Sequence, residues 1–483
     1  MNRFRHLLLL ALMGLITACS YNELPEDLVP QTIYEEDGLV LSVETRAETY
    51  KGQALDQEYF VTAEDLENFV KYRRSASKRS DLAVKEVKSY GFDSSQTLFY
   101  ILNYDQGWEV VSADKRVQPT LAHGDSGEFT MECDNEAMKF WMNMLADGIL
   151  HKRQTYGEPI TSAALSVKEA DYVGFWGLIG DENQQSFLDN YSTKGTYAYV
   201  VETESIHRTD IYGQRLETEW GQNYPWNAFC PYTNYSYNEY APAGCVAVAG
   251  AQAIYYLRNH FPMDNATAPL VAVCTGIIDS YFRTFDNFST AAWTYMATTK
   301  DDRTLQNRLF SARFIAYIGK LVGVDYGEDS STAYTTDLPE RVFEHFGISS
   351  ILTEEFDIDI IRQNTAMNLP IVIKGEDAML FGDGHSWIID QHSRDVVDNI
   401  KYYAIFSSPQ TEEYISTLDK SDATRRQITT TVISESLHMN WGWGGNGNGW
   451  FAAIPDDWWL EDSDGDDYRF KYYIKMIHDF SLN

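Results

Sequence analysis

Ala243-Gly244-Cys245-Val246-Ala247-Val248-Ala249 is the stretch on which the reading turns. A glycine lets the chain bend sharply, a cysteine follows at once, and an apolar, alanine-rich run over 247–257 predicts a helix. The cysteine therefore stands at a helix start, where unpaired N–H groups and the helix dipole favour a negative thiolate. The thiolate is the nucleophilic form, so the position suits covalent catalysis. A buried structural cysteine on a small-residue helix fits the same seven residues, and the stretch alone does not separate the two.

Three further segments separate them. Gly382-Asp383-Gly384-His385-Ser386-Trp387 places a histidine between a glycine turn and an apolar strand, 140 residues after Cys245. A general base must be held rigidly and still reach the pocket, and a strand entry does both. The separation falls within the ~130–150 residues of papain-like nucleophile-to-base order. Asn440-Trp441-Gly442-Trp443-Gly444-Gly445 then supplies an Asn that can orient an imidazole and a Trp that can shield it. Ahead of the cysteine, Glu219-Trp220-Gly221-Gln222-Asn223 offers Gln222, 23 residues before Cys245, as an oxyanion donor beside the Cys245 N–H. His260, His392 and His438 are weaker candidates for the base: a helix end, a polar segment and a strand interior.

These motifs resemble the streptopain family of papain-like cysteine peptidases, in its Bacteroides-type lipoprotein form. Asp325-Tyr326-Gly327 with Ser330-Ser331 is similar to the family's Ser-rich segment on the substrate side. Trp108-Glu109-Val110-Val111-Ser112-Ala113-Asp114-Lys115-Arg116 is similar to its inhibitory propeptide. The resemblance covers most of 60–155 and 215–455. It implies that Cys245 attacks a peptide carbonyl, His385 shuttles the proton, Gln222 binds the oxyanion and Trp441 packs on His385, with Asn440 a candidate orienter. Protein or peptide substrates, the chain's own propeptide as inhibitor, and no cofactor are implied with it. Three departures stand out. Residues 392–435 look like an insertion, Glu376 and Asp377 carry no assignable role, and the C-terminal part holds an acidic run at 461–467 in place of a glycine-rich loop.

Pattern divides the chain. Residues 1–18 form an export signal, with Asn2-Arg3-Phe4-Arg5 ahead of an apolar run of about ten residues, too short to span a bilayer. Leu15-Ile16-Thr17-Ala18-Cys19 resembles a lipobox, so Cys19 is the expected lipidation site and the membrane anchor. Residues 19–50 read as a polar tether whose acids suit surface export. Residues 51–190 read as a small α+β propeptide, with a helix from Ala63 capped by Thr62, a hairpin over 98–113 and a helix over 135–152. Residues 191–215 read as an exposed activation linker, with Arg208 and Arg215 open to trypsin-like enzymes. Residues 216–483 form the papain-like two-subdomain unit, helices first and strands afterwards, which makes the fold α+β.

Charge and cysteine count narrow the function. Lys and Arg number 38 against 71 Asp and Glu, a net charge of −33, which excludes a phosphate-binding surface for nucleic acid. Five cysteines, with no CxxC and no zinc-ligand spacing, exclude a disulfide scaffold. Cys133, Cys230 and Cys274 leave room for one pairing. An EF-hand register centred on Gly465 puts Leu460 first and Lys471 twelfth, neither of them a calcium ligand, so no metal is expected. Two other functions use the same fold: a non-enzymatic surface binder, and an amidase acting on cell-wall peptides. The first would have lost its nucleophile or base, and the second usually carries wall-binding repeats.

Overall fold

The computed structural model describes residues 31–35, 38–42, 59–76, 83–91, 97–155, 167–180, 191–193, 196–234, 239–260, 293, 296–302, 304–377, 384–453 and 472–482. The export signal, Cys19, Cys274 and the acidic run at 461–467 lie outside these residues. Within the expected tether, β1 (Gln31–Glu35) and β2 (Gly38–Ser42) form a hairpin.

The N-terminal unit begins with α1 (Ala63–Ala76). Its start is a reciprocal cap: the Asp65 N–H donates to the Thr62 hydroxyl at 3.2 Å, and the Thr62 N–H donates to the Asp65 carboxylate at 2.8 Å. Four antiparallel strands follow: β3 (Val84–Tyr90), β4 (Phe99–Tyr104), β5 (Trp108–Ser112) and β6 (Thr120–Gly124). Then come α2 (Glu136–Thr155) and α3 (Val167–Gly180). The turn after β5 is locked by a buried ion cluster, with Arg116 and Arg153 both on the Asp114 carboxylate at 2.7 and 3.2 Å.

Next come β7 (Tyr191–Thr193) and β8 (Thr196–Gly213), then the short ladder of β9 (Tyr232–Asn234) and β10 (Glu239–Tyr240). The helical half of the second unit holds α4 (Cys245–His260) and α5 (Leu305–Val322), and ends in the β11 (Asp325–Tyr326) and β12 (Ser331–Thr332) ladder. The strand-rich half runs β13 (Ile348–Thr353), α6 (Ile358–Ala366), β14 (Ile371–Asp377), β15 (His385–Phe406), α7 (Glu412–Ile415), β16 (Arg425–Asn440), β17 (Gly449–Ala452) and β18 (Tyr472–Leu482).

One expectation needs correction here, and another takes a definite form. Residues 191–215, expected as an exposed activation linker, contain the 18-residue strand β8, and its Arg208 is held by Asp210 and Asp398. Residues 392–435, read as an insertion, continue β15 and β16 as one long hairpin. The two findings have one cause. The tip of the hairpin offers β15 a free edge, and β8 fills it from Tyr197 opposite Phe406 to Gly213 opposite Gln391. The result is a three-stranded arm.

Among the described residues one sheet of twelve strands runs through both units, in the order β13-β18-β14-β15-β16-β17-β6-β5-β4-β3, with β8 and β7 attached through β15. The N-terminal sheet joins the catalytic one where β6 pairs β17, Ala122 opposite Phe451 and His123 opposite Trp450. Alternation along β14 and β15 serves two cores. Ile371, Ile373, Trp387 and Ile389 face a core shared with α2, whereas Val372 and Ile388 face the core built on α4 and α5. In the shared core Trp141 of α2 meets Trp387 edge-on at 6.2 Å and donates its indole N–H to the Ala452 carbonyl at 3.1 Å.

At Gly375 the side chain of Phe140 on α2 lies close against the sheet. A Cβ there would lie 2.4 Å from Phe140 and 2.8 Å from Trp387. Gly375→Ala should therefore lower the stability of the full-length protein by about 1–3 kcal/mol, the usual cost of overpacking a filled core. A urea midpoint unchanged from the unsubstituted protein would mean that α2 does not rest on this strand.

Candidate active site

Cys245 is the first residue of α4, as its sequence context demands. Gly244 before it has φ +88°, a left-handed conformation that a side chain would strain, and a Cβ there would press to 3.3 Å on the Ser331 carbonyl oxygen. The Ser-rich segment is thus brought against the nucleophile turn. The helix ladder starts at once, with the Val248 N–H donating to the Gly244 carbonyl at 3.1 Å. The first-turn N–H groups ahead of that bond, including that of Cys245, have no partner within the helix. Cys245 is half-buried, whereas Val246 to Ala249 behind it are buried. Its Sγ lies 4.0 Å from the carbonyl oxygen of Gly384, the residue directly before His385. His385 opens β15, opposite Gly375 on β14.

Gln222 reaches the same place along a third path. Its carbonyl accepts the Ala243 N–H at 2.9 Å, two residues before the cysteine. On the other side of this segment, the Trp220 carbonyl accepts the Gly444 N–H at 3.1 Å. Residues 220–222 are therefore laced between the cysteine turn and the Trp/Gly loop, and Gln222 itself is half-buried. Three segments remote in sequence are thus joined, directly or through one another, to the turn that carries the cysteine.

The residue that ties them together is Gln252, which the motif reading passed over. It lies two turns along α4 from Cys245 on the same helix face and is fully buried. Its Oε1 accepts the Trp220 N–H at 3.2 Å, and its Nε2 donates to Asn440 Oδ1 at 3.2 Å. A buried amide in an alanine-rich helix was the available signal.

Asn440 is committed to this scaffold. Its Nδ2 donates to the Thr218 carbonyl at 2.6 Å, its Oδ1 also accepts the Gly442 N–H at 3.3 Å, and in the ladder it stands opposite Ile388, three residues past His385. Trp441 is fully buried in the shared core, 5.2 Å from Trp387 and 4.9 Å from Phe451, with its indole N–H on the Gly447 carbonyl at 2.9 Å. Its ring contacts thus reach the histidine strand two residues beyond His385.

The other candidates have structural surroundings. His392 donates to Glu435 at 2.6 Å and His438 pairs with Asp390 at 2.6 Å, both buried. Burial pushes the Glu435 carboxyl up, but hydrogen bonds from His392 and Arg362 outweigh it and hold the group down to about 2. Burial pushes the Cys230 thiol up to about 12 and raises that of Cys133, so both stay protonated at neutral pH. A cleft of about 270 Å³ between residues 214–218 and Tyr255–Tyr256 lies at the far end of α4, ~15 Å from Cys245 by helix rise, and plays no part in this site. Among the described residues no cluster of His, Cys, Asp or Glu could hold a metal ion.

Asn440→Ala strands Gln252 Nε2 and the Thr218 carbonyl, so it should cost about 1–3 kcal/mol of stability. Gln252→Ala should cost a similar amount, and the double variant less than the sum, because the two share one bond. Additive urea-denaturation losses, together with a shifted pH–rate profile in activated Asn440→Ala alone, would instead make Asn440 the imidazole orienter.

Residues 220–451 match the model of the Peptidase C10 family, and residues 60–149 match that of the Spi protease inhibitor. No curated protein matches the chain. Among solved structures, a mutant fragment of prointerpain A from Prevotella intermedia is similar, with 18% identity, 81% of this chain and 98% of that chain covered, and a TM-score of 0.46. The inhibitor match ends within α2 and the peptidase match takes in Gln222, Cys245, His385 and Trp441. Residues 220–451 are thus a Peptidase C10 domain with a protease-inhibitor domain ahead of it, the composition of a cysteine endopeptidase zymogen.

Proposed function

We propose that Cys245 and His385 are the catalytic dyad of this endopeptidase and that Gln222 completes its oxyanion hole. The observation that carries the reading is the meeting of three segments: Cys245 at a helix start, its sulfur 4.0 Å from the residue before His385, and Gln222 bonded through its backbone to the cysteine turn. His385 takes the thiol proton, and the thiolate adds to the substrate carbonyl carbon. The negative oxygen is held by the Cys245 N–H and the Gln222 amide. Collapse breaks the C–N bond, and His385 gives its proton to the departing amine, leaving a thioester on Cys245. A water that loses its proton to His385 then attacks the thioester and restores the thiol. Trp441 supports the strand that carries His385 through Trp387.

Residues 51–190 are the inhibitory body in this reading, with α2 and β6 seated on the catalytic sheet. Protein or peptide substrates are the natural partners. Cys245→Ala or His385→Ala should remove nearly all peptidase activity from the processed enzyme. Gln222→Ala should lower kcat by on the order of 10²–10³, the usual loss for one oxyanion donor. Full activity in Cys245→Ala would refute the dyad, and a raised KM at unchanged kcat in Gln222→Ala would move that residue to substrate binding.

The lipobox-like Leu15-Ile16-Thr17-Ala18-Cys19 supports export and lipid attachment at Cys19, with residence at the outer membrane or cell surface. In cells fed labelled palmitate, Cys19→Ser should abolish labelling and move the protein to the soluble fraction. Label retained by the variant would place the lipid elsewhere.

A further inference from the structure

We propose that the arm formed by β8, β15 and β16 is a second docking surface for this chain's own N-terminal unit, holding that unit on the enzyme independently of the connecting chain. The inference rests on the reading of the N-terminal unit as the inhibitory body.

The arm has one face turned to α1 and α3, and its sequence builds that face from three strands. Val397 of β15 stands opposite His207 of β8 and is 2% exposed. Ile433 of β16 is the extra residue of a bulge between the Asp395–Ser434 and Val396–Val432 pairs, and the bulge carries it out of the ladder. Both side chains are buried in one cluster with Phe69 of α1 and with Phe175 and Trp176 of α3. His207 takes part through Tyr72: the rings lie 5.2 Å apart, and the Tyr72 hydroxyl and His207 Nδ1 are 3.1 Å apart. Asp395, fixed by the Thr209 and Ser434 hydroxyls at 2.5 and 2.9 Å, adds electrostatic attraction for Arg73 of α1.

Two facts set this surface apart from the seat of α2 and β6 on the catalytic sheet. It engages residues beyond the inhibitor match, Phe175 and Trp176 of α3 from Val167 onward, beside Phe69 and Tyr72 of α1 within that match. It is also assembled on the enzyme side of the chain: β8 is paired with β15 along nearly its whole length, so it stays with the catalytic unit when the chain is cut before it. The occupant is the α1–α3 pair already seated there. An inhibitor that lacked α3 would lose the Phe175 and Trp176 contacts.

The test replaces residues 183–189 with the site of a sequence-specific endoprotease, in the full-length Cys245→Ala protein so that nothing else is cut. After cleavage, the two pieces should co-migrate in size exclusion at micromolar concentration. Val397→Arg with Ile433→Arg should raise the concentration at which they separate at least tenfold. Tyr72→Ala with Phe175→Ala, from the opposite side of the same interface, should do likewise, which covers the case in which an arm variant fails to fold. Pieces that separate at once, or that separate at the same concentration in both pairs of variants as in the unsubstituted arm, would overturn the proposal. The same cleavage with Cys245 intact keeps the two readings apart: co-migrating pieces that hydrolyse peptides at the full rate support the docking surface and refute inhibition by the N-terminal unit.

Discussion

The seam at which β6 lies against β17 is the constraint on which the rest of the structure depends. Its ladder is short, with Ala122 opposite Phe451 and His123 opposite Trp450, and each hydrogen bond there adds only about 0.5–1.5 kcal/mol net. The aromatic core beneath it is larger. Trp141, Trp387, Trp441 and Phe451 are all fully buried in one cluster, and truncating a single such ring typically costs about 3–5 kcal/mol. The side chains therefore dominate the energy of the seam, and the ladder fixes its register. Sliding β6 by one residue would turn His123 toward the core and Ala122 away from it.

This arrangement puts His385, the proposed base, at the end of a dividing wall. Strands β14 and β15 carry the α4 core on one face and the shared core on the other. His385 stands at the end of that wall, next to the residue whose carbonyl touches Cys245 Sγ and two residues from Trp387. Any shift of α2 acts on Trp387 through Trp141 and Phe140, at 6.2 and 6.0 Å. The N-terminal unit thus packs against the same few residues that set the position of His385. Behind the cysteine, Gln252 and Asn440 do the complementary work of holding the helix to the Trp/Gly loop, so the two sides of the site are fixed by different means: apolar packing on one, a buried amide network on the other.

Local signals were enough to read the helix start at Cys245, the hairpin of β4 and β5, α2, and the order of the four site segments. Each of these depends on turn glycines, a cap or a short apolar period. The long strands were less legible. Along β15, Gln391-His392-Ser393-Arg394-Asp395 interrupts the apolar pattern, yet His392 and Ser393 are buried because Glu435 and the β16 backbone satisfy them. Nothing within ten residues of His392 announces a partner 43 positions away. Strand β8 has a polar, charged middle over 202–210 and few buried residues, so its pattern is that of an exposed edge and resembled linker. Phe175 and Trp176 gain a surface only from α1 and the arm, which lie far from them in sequence. Asn440 was legible as a site residue by type, whereas its partners, Thr218 and Gln252, are set by the tertiary fold.

The extent of the contact between the two units bears on what it is for. While the chain is continuous, a linked domain faces its partner at an effective concentration of about millimolar. An interface with a micromolar dissociation constant would then be occupied roughly a thousandfold over. A single helix laid on the sheet could supply that. This protein instead joins its units through a shared aromatic core, a strand pairing and a second cluster on the arm, and it keeps β8 on the enzyme side of the junction. Only after the chain is cut does the added area matter, because the effective concentration is then lost and affinity alone decides occupancy. The architecture is therefore suited to an inhibitor body that remains in place when its covalent link is gone.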